Sequence, residues 1–100
     1  MTSIFIKFGQ NKKLMATIIL DEEATSIKNI YVDDEMKRIF SVIWPAWENK
    51  SHYKLETLFQ YYFNEMESGR KLLDYILEIK HNGNEFYTVY EPALSISVAL

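Results

Sequence analysis

The chain has 100 residues, 48% of them hydrophobic and 15% aromatic, which suits one domain over residues 1–100 with a single core and excludes a disordered chain. It contains no cysteine, so disulfides, zinc–thiolate sites and thiol nucleophiles are ruled out. Net charge is −3, and the cations cluster only as pairs (Lys12-Lys13, Lys37-Arg38, Arg70-Lys71), too sparse for a reader of nucleic-acid backbones.

Ser3 to Phe8 alternates Ile4, Ile6 and Phe8 with Phe5 and Lys7, the period of a strand. An alternating segment with a lysine inside it lacks the continuous apolar run of a signal peptide. No stretch approaches the ~18 apolar residues of a membrane span, so a cytoplasmic protein is expected. Gly9 to Lys12 reads as a turn, and Lys13 to Leu20 as a second strand with Leu14, Ala16, Ile18 and Leu20 on one face. The acidic turn Asp21-Glu22-Glu23 leads to a third strand, Ser26 to Val32. There Ile27 and Tyr31 lie opposite Ile30 and Val32.

At Asp33 the period changes to 3.6. Asp33 is placed to cap a helix, and Asp34 and Glu35 suit the positive end of its dipole. Met36, Ile39, Phe40 and Ile43 form the apolar stripe, and Pro45 stops the helix near Ile43. A second helix is predicted after Ser51, with the stripe Leu55, Leu58, Phe59, Tyr62, Met66 and an end at Gly69.

Asn82-Gly83 stands between two apolar runs, the strongest short-range signal for a hairpin with a type I′ turn. It predicts strands from Asp74 to Tyr90, pairing Lys80 with Glu85, Ile79 with Phe86 and Leu77 with Thr88. A last edge strand is expected in the tail from Pro92 to Leu100, where Leu94, Ile96 and Val98 alternate with serines. The order of elements is β-β-β-α-α-β-β, with that tail as one more strand. It describes an α+β fold: an antiparallel β-sheet with two consecutive helices packed on one face.

Catalytic signatures are missing. Three glycines (Gly9, Gly69, Gly83) build no phosphate cradle, and no metal-ligand spacing joins His52 or His81 to other ligands. No cofactor and no metal are expected, and the chain is read as a non-enzyme. What remains is surface. Asp21, Glu22, Glu23, Asp33, Asp34 and Glu35 stand on either side of the third strand and offer acidic rims to a basic partner. Trp47, in the connection between helices, either pins that loop to the core or anchors a partner; Tyr61 and Tyr87 fall on outward faces.

The expectation is therefore an acidic protein-binding module whose partner is a basic protein. Its concrete form is a bacterial immunity protein neutralising a nuclease toxin, since such targets carry positive clefts for phosphate. The alternatives are a phage-encoded inhibitor of a host defence nuclease, a structural homodimer paired through the strand at Pro92 to Leu100, and a small-ligand or enzymatic domain with a pocket between helices and sheet.

Overall fold

The computed structural model describes residues 1–63 and 69–99. The first hairpin forms as expected from β1 (Thr2–Phe8) and β2 (Lys13–Leu20), and β3 (Ile27–Val32) adds antiparallel to β2. Two bulges correct the predicted faces. Ile6 pairs with Ala16 but Lys7 with Leu14, so Met15 is the extra residue and the phase of β2 reverses there. Leu14 consequently leaves the face of Ala16, Ile18 and Leu20 and is exposed, while Met15 is buried. On β3 the register shifts between Asn29 and Ile27, which turns Ile27 back toward the core instead of leaving it beside Tyr31.

A short 3-10 turn, Asp34–Met36, leads into α1 (Lys37–Ile43). Asp33 occupies the capping position with extended backbone, though its carboxylate makes no capping bond. Met36 and Phe40 are buried and Ile39 and Ile43 pack against the core, as the stripe required. Helix α2 (His52–Phe63) opens at Ser51, whose Oγ accepts from the Lys54 N–H at 3.2 Å. Its buried face is Leu55, Leu58, Phe59 and Tyr62; Met66 lies outside the described residues.

The Asn82-Gly83 hairpin does not form. Residues Leu72–His81 are a third helix, α3, with Leu72, Tyr75, Ile76 and Ile79 buried. The same segment satisfies two periods, and the 3.6-residue stripe buries more of it than the alternation of Tyr75, Leu77 and Ile79 would. Leu77, central to the strand reading, is 53% exposed. Both ends of the helix are specified. Asp74 at the third helical position accepts from the Lys71 N–H at 3.1 Å, one half of a capping box.

At the other end, Gly83 is left-handed (φ +88°). Its N–H bonds Lys80 O, and the Asn84 N–H bonds Ile79 O at 2.9 Å. Those two bonds are a Schellman motif, so Asn-Gly here closes a helix instead of turning a hairpin. The chain then enters the short β4 (Glu85–Tyr87) and β5 (Leu94–Ala99).

The five-stranded sheet has the order β3-β2-β1-β5-β4, every pair antiparallel. The α+β architecture stands, with α1 and α2 consecutive and α3 beside them. The tail strand is interior, held between β1 and β4, and is not an edge. The inner face carries Ile4, Ile6, Ala16, Ile18, Leu20, Ile30, Leu94, Ile96 and Val98, and all three helices bury their stripes in the same core. Within it Phe59 meets Phe63 and Tyr75 at ring distances of 5.7 and 5.6 Å.

Candidate functional site

Of the acidic residues singled out in the sequence, Asp21 has a structural task. Its carboxylate accepts from the Thr25 N–H (2.7 Å), Thr25 Oγ1 (2.6 Å) and Ser26 Oγ (2.9 Å), tying the β2–β3 turn. Those bonds, Thr25's hydroxyl first, hold its carboxyl down at about 2. Glu35 meets Lys13 Nζ at 2.5 Å, which lowers the glutamate and raises the lysine, and Asp34 lies 3.3 Å from Lys37. Glu22, Glu23 and Asp33 are exposed and make no ion pair among the described residues. The two acidic groups sit at opposite ends of β3, about 20 Å apart at ~3.3 Å per residue. They flank one sheet edge and do not merge into one patch.

Trp47 pins its loop: the ring packs 6.0 Å from Phe40, and Nε1 donates to Ser41 Oγ at 3.1 Å. Tyr61 and Tyr87 both face outward, 58% and 44% exposed, but on opposite layers of the molecule. His52 is also a tie. Its Nε2 lies 2.8 Å from Ala24 O and its Nδ1 2.9 Å from Glu56, joining α2 to the β2–β3 turn. His81 is exposed at the end of α3. No group of three His, Asp or Glu side chains among the described residues is arranged to hold a metal ion. No described helix is long and apolar enough to cross a membrane.

Two surfaces remain. The first is the outer face of the sheet. The register aligns Tyr31, Thr17, Phe5, Ser97 and Glu85 in one row across all five strands. A second row runs Leu14, Lys7, Ser95, Tyr87, and a third Asn29, Ile19, Ser3, Ala99. Tyr31 is 59% exposed at one edge, Tyr87 stands at the other, and Phe5 and Ile19 are half-buried between them. Only Tyr87 was singled out in the sequence. Tyr31 was legible from its alternation with Ile30 and Val32; Leu14 was hidden by the bulge.

The edges of this sheet are blunted against a further strand. The Asp33 N–H bonds Met15 O, so from Asn29 onward the odd residues of β3 direct their backbone groups to β2 and Ile30 and Val32 direct theirs to the open side. On that side Asn29 Oδ1 accepts from the Ile30 N–H at 2.9 Å, and Lys50 Nζ reaches Lys28 O at 3.4 Å. Side chains thus occupy groups that a neighbouring strand would need. The opposite edge, β4, is three residues long.

The second surface is a groove of about 630 Å³ between α1, α2 and Pro92. Ile39, Val42, Ile43, Pro45 and Leu58 supply apolar walls, with Trp44, Tyr61 and Tyr62. Burial pushes the Tyr62 hydroxyl above its usual 10, with Tyr61 adding to it, so it is a neutral phenol at pH 7. Trp44 is 2% exposed, and its indole N–H has no acceptor among the described residues. A buried donor left in that state costs about 1–3 kcal/mol. No sequence pattern marked this groove, because its walls come from two helices whose packing angle is a tertiary matter. No family model, curated protein or solved structure matches the chain.

Proposed function

We propose that this chain is a non-enzymatic protein-binding module that presents the outer face of its sheet to a partner. The observation that carries the reading is the row from Tyr31 through Phe5 toward Tyr87's edge. A sheet face left to water normally alternates to polar residues, whereas this one holds Leu14, Ile19, Phe5, Tyr31 and Tyr87. Tyrosines at both edges, with the half-buried Thr17, Ser3 and Ser97 between them, combine rigid amphipathic area with adaptable hydrogen bonding, the chemistry of protein-recognition surfaces. Both ring nitrogens of His52 are engaged within the fold, at Ala24 O and Glu56, which leaves neither free to serve a nucleophile.

The partner proposed is a basic protein acting on nucleic acid, and the chain its inhibitor, in the manner of an immunity protein neutralising a nuclease toxin. A phage-encoded inhibitor of a host defence nuclease has the same physics. Glu22, Glu23 and Asp33 support this reading, because they are exposed carboxylates beside the β3 edge of the face with no ion pair among the described residues. Pairing with a copy through β5 is not proposed, as both sides of that strand are occupied.

The experiment is a pull-down from the native host followed by inhibition of the basic nuclease-type protein it captures, by wild type and two double variants. Tyr31→Asp with Tyr87→Asp is expected to lose inhibition while retaining the folded circular-dichroism spectrum, both side chains being exposed. Val42→Asp with Tyr61→Asp, on the helical layer, is expected to retain it. The reverse pattern would move the interface to the helices, and no binding by wild type would remove the inhibitor reading.

A further inference from the structure

Charge is uneven along the middle of the chain. Residues 21–35 carry six carboxylates against Lys28, whereas residues 37–63 carry Lys37, Arg38, Lys50 and Lys54 against Glu48 and Glu56. The groove lies in that cationic part. Among the described residues Lys54 is the one charged residue lining it, and its ammonium has no ion-pair partner there. The wall also contains the Trp44 indole, a buried donor for which no described residue supplies an acceptor. On the lips Val42 is 77% exposed, an aliphatic side chain held in water beside apolar walls.

We infer that the α1–α2 groove is a binding site for an amphiphilic carboxylate, an acyl chain with an anionic head. The volume, about 630 Å³, lies in the range of small-molecule sites, which are mostly apolar with a few orienting polar groups. The acyl chain lies along Ile39, Val42, Ile43 and Leu58, and the carboxylate pairs with Lys54. The charge decides the head group: a cationic amphiphile would meet Lys54 as a like charge, and an uncharged one would gain nothing from it. This site is on the layer opposite the proposed protein-binding face, so the two stand or fall separately.

The test is titration with decanoate, below its micelle concentration, followed by the amide and indole N–H resonances of the whole chain. Saturable shifts are expected at the Trp44 indole and along residues 39–45 and 54–62, with the outer sheet face unmoved. Lys54→Met keeps most of the side chain's length and removes its charge. It is expected to weaken decanoate about fivefold, the size of one partly exposed ion pair, and to leave decanol binding unchanged. Val42→Asp is expected to weaken both.

Absence of saturable shifts would overturn the inference. So would equal decanoate binding by wild type and Lys54→Met, which would show a site indifferent to the head group. If a leucine-rich amphipathic peptide saturates the same resonances while decanoate does not, the groove is a docking site for a helix and the inference falls.

Discussion

Single residues in this chain carry tasks that their types alone do not reveal. Asp21 reads as one of three acids in a solvated turn, yet it accepts three hydrogen bonds and holds Thr25 and Ser26 in place. A carboxyl lowered by folding adds stability that is present above its unfolded value and lost as pH falls through its folded one. For Asp21 that window runs from 3.8 down to about 2. Asp21→Asn is therefore expected to have a lower urea midpoint than wild type at about pH 6, with the gap closing near pH 2. Glu35 and Glu85, also lowered by their lysines, titrate alike in both proteins and cancel in the comparison. A gap of equal size at both pH values would show that the turn's bonds do not depend on the ionised carboxylate. Glu22 and Glu23, next in the chain, have no such bonds, and their sequence neighbourhood is almost the same. The difference is the positive φ of Ala24, which folds Thr25 and Ser26 back over the aspartate.

At the scale of elements, the strands and the first two helices follow from periodicity, and the third helix does not. From Leu72 to Ile79 the residues fit a strand by Tyr75, Leu77 and Ile79 and a helix by Leu72, Tyr75, Ile76 and Ile79. Asn-Gly then serves either reading, because a type I′ turn and a Schellman cap both need φ > 0 at the glycine. The signals that separate them are Asp74 at the third helical position and the neighbouring Leu72–Ile76 pair, both available in the sequence.

Substitution tests the assignment directly. Ile76→Ala is expected to cost about 2–5 kcal/mol as a buried truncation, and Leu77→Ala under about 1. Denaturant unfolding of the two variants measures both; a strand with Tyr75, Leu77 and Ile79 inward would reverse the order. Bulges are the other feature that periodicity conceals. One extra residue at Met15 moves Leu14 to the far side of the sheet, and no composition signal marks the position.

The molecule as a whole separates its surfaces by layer. Acids flank β3, and the sheet edges are blunted by Asn29, Lys50 and the shortness of β4. If the acidic end steers a basic partner, reversing Glu22 and Glu23 to lysine acts on the encounter and not on the fold. Thermal midpoints are expected to stay near wild type, because exposed unpaired charges contribute little. Association with the basic nuclease is expected to slow at low salt and to converge with wild type at high salt, read by stopped flow. Identical rates and salt slopes would leave the two glutamates as a solvated turn. Asp21 is excluded from the reversal, since its loss would unmake the turn as well.

By itself the sequence determined the α+β class, the first three strands, the two central helices and the outward placement of Tyr61 and Tyr87. Each of these rests on neighbours a few residues apart, where alternation or a 3.6-residue stripe states which side is buried. The tertiary structure alone decided that Leu72–His81 is a helix, that β5 lies inside the sheet, and that α1 and α2 enclose a groove. Those outcomes depend on contacts between segments far apart in the chain. Local preferences differ by fractions of a kcal/mol per residue, while burying one large side chain contributes roughly 1.5–3 kcal/mol. Where two local patterns are nearly equal, the core chooses between them.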